Sequence, residues 1–150
     1  MLKKYNGYAS YVIIPDEVTD IGDNAFYNNT NIQYVEIPDS VKKIGSYAFS
    51  GCTELGGIYI PDSVEAIGSY AFEGCTKLAS ARLPINENFV TLENGTFQQC
   101  ENLPEIEIPE SVTEINNYSF ENCSDLSNVN LPKGLISLGF EAFYDCDSIT

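Results

Sequence analysis

An α/β repeat solenoid is the fold class this sequence predicts, and three observations predict it. A 23-residue pattern recurs six times along 150 residues, most plainly as Leu55-x-x-Ile58-x-Ile60-Pro61-Asp62-Ser63-Val64-x-x-Ile67-Gly68-x-x-Ala71-Phe72-x-Gly74-Cys75. Phe26, Phe49, Phe72, Phe97, Phe120 and Phe143 are spaced by 23, 23, 25, 23 and 23 residues. Pro15, Pro38, Pro61, Pro84, Pro109 and Pro132 follow at steps of 23, 23, 23, 25 and 23. A constant period of this length implies stacked coils, each burying its apolar face against its neighbours. The expectation is a single array of about six coils over residues 1–150.

Each coil opens on a strand. Ile32, Leu55, Leu78, Leu103 and Leu126 precede alternating pairs, Val35/Ile37, Ile58/Ile60, Ala81/Leu83, Ile106/Ile108 and Val129/Leu131, which alternation turns inward. The residues between them point outward and form a parallel-strand concave face. Proline follows each strand, where its missing N–H is tolerated because ladder pairing stops there. The return arm carries Val41, Ile44, Ala48 and Phe49 at steps of 3, 4 and 1, which predicts a short helical or 3₁₀ segment on a convex face. Its stop is the column Asn28, Gly51, Gly74, Gln99, Asn122 and Asp145, rich in residues that accept a left-handed conformation. In the fourth coil Pro84-Ile85-Asn86-Glu87-Asn88-Phe89 inserts two residues, and Glu93-Asn94-Gly95-Thr96 replaces Ile-Gly-x-x-Ala. The insertion maps to a surface loop, either drift in a tolerant turn or a functional loop.

This pattern, with Ile-Pro closing the strand, then Ile-Gly, Ala-Phe and Cys, resembles leucine-rich repeats of the BspA-like family of bacterial and protist surface proteins. The resemblance runs from Ala9 to Thr150. It implies a secreted or cell-surface protein that adheres to host or matrix proteins.

Seven Lys and Arg stand against 22 Asp and Glu, a net charge of −15. That balance opposes nucleic acid and anionic lipid surfaces. No apolar run approaches the roughly 18 residues of a membrane span, so no membrane insertion is expected. The opening Met1-Leu2-Lys3-Lys4-Tyr5-Asn6-Gly7 lacks the apolar stretch of a signal peptide.

Cys52, Cys75, Cys100, Cys123 and Cys146 occur once per coil. Sulfurs in one like-facing column at a ~4.8 Å strand repeat do not face one another as a disulfide requires, and they do not converge as a zinc site requires. They are read as free, buried thiols acting as small hydrophobes. With no histidine in the chain, the commonest general base and nitrogen ligand is missing. The acidic column Asp16, Asp39, Asp62 and Glu110 reads as a solvated turn, with Ser40, Ser63 and Ser111 as local turn or cap residues. No enzyme activity, cofactor or metal is expected.

Function is therefore sought on the outward strand face. Tyr11, Tyr34 and Tyr59 cluster on its N-terminal half, and tyrosine offers a large rigid area with a polar tip. Arg82, the only arginine, lies between Tyr59 and Glu107, as a ligand contact, a partner for Glu107 or a stack on Tyr59. With Glu36, Glu105 and Glu107 these residues make up the expected protein-binding face. Tyr47, Tyr70 and Tyr118 form a second column, read as convex-face packing. The competing reading is a structural spacer, or a scaffold that self-associates end to end. The last residues, Cys146-Asp147-Ser148-Ile149-Thr150, stop where another strand is due, so the chain reads as a fragment of a longer array or one completed by a partner.

Overall fold

A computed structural model describes residues 1–149; Thr150, the last residue of the expected array, lies outside the described residues. Twelve short strands alternate between two faces. The first face holds β1 (Tyr11–Ile13), β3 (Tyr34–Glu36), β5 (Ile58–Tyr59), β7 (Ala81–Arg82), β9 (Glu105–Glu107) and β11 (Asn128–Asn130). The second holds β2 (Asp20–Ile21), β4 (Lys43–Ile44), β6 (Ala66–Ile67), β8 (Thr91–Leu92), β10 (Glu114–Ile115) and β12 (Ser137–Leu138). Every pairing is parallel and one repeat apart, as in Tyr11 with Tyr34 and Lys43 with Ala66.

The expected helical or 3₁₀ convex segment is absent among the described residues, and the backbone shows why. Each return arm is a two-residue strand followed by successive turns, closed in the first coil by Ala25 N–H to the Gly22 carbonyl, Tyr27 to Asn24 and Asn29 to Phe26. The intervening amides of Asn24, Phe26 and Asn28 instead donate to Ser46, Ala48 and Ser50 of the next coil. A helix would need those N–H groups for its own i−4 carbonyls. Two columns of positive φ per coil enforce the alternation. The anticipated one runs through Asn28 (55°), Gly51 (72°), Gly74 (67°), Gln99 (60°), Asn122 (59°) and Asp145 (53°). The unanticipated one holds Asn24 (57°), Tyr47 (56°), Tyr70 (58°), Gly95 (57°), Tyr118 (62°) and Glu141 (53°). Both occupy the third position of a turn, where a type II geometry demands φ > 0.

Between the faces runs one continuous core. The six phenylalanines stack face to face, with centroid spacings of 4.8, 5.3, 5.3, 5.7 and 5.1 Å and interplanar angles of 8° or less. Tyr5 continues the stack over Phe26 at 5.3 Å, and Leu2 bridges to Ile21, so the first residues cover the first coil. All five cysteines are free and buried. They are more than small hydrophobes: each Sγ donates to the phenylalanine carbonyl of the preceding coil, from Cys52 to Phe26 at 3.1 Å through Cys146 to Phe120 at 3.0 Å. The serines likewise brace neighbours rather than cap locally, with Ser40, Ser63 and Ser111 Oγ each 2.8 Å from the carbonyls of Val18, Val41 and Phe89. Leu131, expected inward, is 48% exposed in the sixth coil, whose far side has no neighbour among the described residues.

Candidate binding face

The strand face presents its outward residues as the alternation requires. Tyr11, Tyr34 and Tyr59 are exposed, as are Glu36, Glu105 and Glu107, while their neighbours Val12, Val35, Ile58 and Ile106 are buried. Two local clusters result. On the first strands Tyr11 stacks on Tyr34 at 5.0 Å and its hydroxyl donates to Glu36 at 2.9 Å. That hydrogen bond stabilises the neutral phenol beside the carboxylate and raises the Tyr11 pKa above its usual value.

Arg82 anchors the second cluster. Its guanidinium lies 4.8 Å from the Tyr59 ring centroid, as one sequence reading expected, but its carboxylate partner is Asp62 at 2.5 Å rather than Glu107. Arg82 also donates to the Ile60 carbonyl at 3.0 Å. The Arg82 contact, aided by the Ile85 amide 2.7 Å from Asp62 Oδ1, lowers the Asp62 pKa, so this member of the acidic column is held rather than merely solvated. Asn86, in the inserted loop, takes the place of the column serine by donating to Val64 (2.7 Å) and Asp62 (2.8 Å) carbonyls, while its Oδ1 accepts from Asn88 and Phe89. The insertion is thus a braced loop. It also interrupts the second face, where β6 and β8 do not pair.

Sequence reasoning missed an opening in the strand face beside this cluster. At the start of each strand an amide donates one coil back: Gln33 to Ser10, Gly56 to Gln33, Ala79 to Gly56 and Ser127 to Pro104. The equivalent donor in coil five is Pro104, which has no N–H. β7 and β9 form no ladder, nor do β3 and β5, but between β3 and β5 the Gly56 amide still ties the coils, whereas a groove of about 540 Å³ lies along β7 and β9. Its lining includes the apolar Ala79, Ala81 and Ile106 and the carboxylates Glu105, Glu107 and Glu110. The signal was present in the proline at the strand start, in Ser80, which stands where Tyr11, Tyr34 and Glu105 stand in other coils, and in Ala81, which replaces the Val or Ile of the inward column.

Comparison with known proteins agrees with this architecture. A sequence profile described as BspA type leucine rich repeat region matches residues 5–91 in six copies. A leucine-rich repeat protein of T. pallidum superposes with a TM-score of 0.82 at 27% identity, covering 99% of this chain and 81% of that one. One from Bacteroides ovatus gives 0.67 at 34% identity over 87% of this chain and 39% of that one, so this chain spans well under half its length. A leucine rich cell surface protein of Faecalibacterium prausnitzii shares the fold at 0.59 and 21% identity, over 94% and 58% of the two chains. No curated protein matches the sequence.

Proposed function

Because the chain belongs to the BspA-type leucine-rich repeat family, we propose that it is a protein-binding module, without catalytic function, that acts at or outside the cell surface as an adhesin-like segment. Its partner is a protein of the host surface or matrix, held on the strand face. One observation carries this reading. The buried columns hardly change between coils, whereas the exposed strand positions differ in almost every coil: Tyr34 and Glu36, then Tyr59, Arg82, and Glu105 with Glu107. Recognition can be written only where packing leaves residues free to vary. The shared fold of a bacterial cell surface protein supports the location. Replacing Tyr34 and Tyr59 together by alanine is expected to weaken capture of immobilised matrix or host-surface proteins at least about tenfold, the scale of aromatic hot spots. The control is Tyr27→Ala with Tyr144→Ala, on the turn side and 51% and 52% exposed. Loss in the control with retention in the strand-face variant would put the binding surface on the wrong side.

A second reading, end-to-end assembly, is favoured by Ile136 (84% exposed), Phe140 (63%) and Leu138 (53%), which cluster in the sixth coil. Sedimentation velocity separates the readings: a concentration-dependent series of oligomers abolished by Ile136→Ser and Phe140→Ser supports assembly.

A further inference from the structure

We propose that the groove between β7 and β9 receives an extended, lysine- or arginine-bearing segment of the protein partner; this rests on the reading of the strand face as the binding surface. The shape comes from two departures from the repeat. Pro104 withholds the amide that would tie the fifth strand to the Ala79 carbonyl, and Ala79, Ser80 and Ala81 leave the wall low. The inward column normally buries Val or Ile, but alanine at 81 is only half-buried and lines the groove together with the apolar Ile106.

Charge selects the occupant. Among the described residues the two ion pairs are Lys77 with Glu54 and Arg82 with Asp62. Arg82, the one cation at the groove, is therefore neutralised by Asp62 and turned onto Tyr59. Glu105 and Glu107 stand exposed on β9 without a cationic partner, and Glu110 accepts only the Lys133 backbone amide, at 3.2 Å. Side chains on one face of an extended segment recur every second residue, as Glu105 and Glu107 do. Alternate cations along such a segment face that pair while its apolar stems lie over Ala81 and Ile106. Arg82 on the opposite wall serves as a positioning residue, holding Asp62 away from the groove.

The test uses the intact chain and a fluorescein-labelled ten-residue peptide of alternating lysine and threonine, read by anisotropy at about 0.15 M salt, where long-range attraction is screened. Binding should fall at least about tenfold in Glu105→Gln with Glu107→Gln. It should change less than about twofold in Glu65→Gln with Glu114→Gln, which removes equal charge from exposed sites on or beside the second face. Amide resonances of Ala81 and Ile106 should shift on titration. Equal losses in both variants, equal binding of a glutamate–threonine peptide, or no binding of the lysine peptide would overturn the proposal. If matrix-protein capture is lost with Tyr34→Ala and Tyr59→Ala but is unaffected by the two glutamine changes, the strand-face reading stands and the groove assignment fails.

Discussion

A side chain held at positive φ costs about 1–2 kcal/mol unless it is glycine, with asparagine and aspartate more tolerant, and among the described residues nine non-glycine positions adopt it. Three of them are tyrosines, and Tyr47 recovers part of the cost by stacking on Tyr70 at 5.1 Å. Gly95 interrupts that column at φ 57°, and the Tyr70 ring occupies the space its Cβ would need. Gly95→Ala should therefore destabilise the fold by at least about 1–2 kcal/mol. Gly56 has an ordinary φ and open space, its nearest neighbour being the Gln33 carbonyl at 4.0 Å, so Gly56→Ala should be neutral or stabilise by about 0.4–1 kcal/mol. Denaturant titration giving the two variants the same midpoint would refute this difference. The column at Gly51 and Gly74 was legible in the sequence because glycine and asparagine advertise the left-handed region. The tyrosine column was not, since nothing about Tyr47 or Tyr118 signals a turn until the neighbouring coil is in place.

At the scale of elements, the same competition explains the missing helix. Apolar spacing alone fits either a helical turn or a strand followed by turns, and only the neighbouring coil's carbonyls decide which partner an amide takes. Strands, their inward columns and the cysteine column were readable from period and alternation; the groove was not, because it depends on how two adjacent coils meet, where Pro104 lacks an N–H and alanine stands at 81. The thiol column also has a pH signature. Burial pushes Cys52 and Cys123 up to about 12 from an ordinary 9.0. The folded chain thus keeps protons that the unfolded chain releases, so this stability is intact below pH 9 and declines as pH rises toward 12. The decline is about 1.4 kcal/mol per pH unit for each such thiol. Melting temperature should be flat from neutral pH to the ordinary thiol range and fall beyond it. Cys52→Ala with Cys123→Ala, though less stable at neutral pH, should show a shallower alkaline fall. An unchanged slope would remove the thiols from that response.

Across the whole molecule, stability travels through nearest neighbours, since each coil touches only the coils beside it. The phenylalanine stack makes this measurable. Phe72 is fully buried between Phe49 and Phe97, each 5.3 Å away, so Phe72→Ala breaks two stacked contacts and should cost about 3–5 kcal/mol. Glu73 beside it is not an inert control, because its carboxylate accepts from the buried Ser50 hydroxyl at 3.1 Å; Glu65, exposed and without a side-chain partner among the described residues, is the better one. Phe143 is half-buried and stacks on Phe120 alone, at 5.1 Å. Phe143→Ala should cost roughly half as much as the central change. Hydrogen exchange should localise the two effects differently. The central variant should lower protection on both sides of the third coil, whereas the terminal one should expose the sixth coil and leave the Phe26 and Phe49 amides protected. Equal costs, or a loss of protection in the first coils on changing Phe143, would mean that the array unfolds as one globular unit rather than coil by coil.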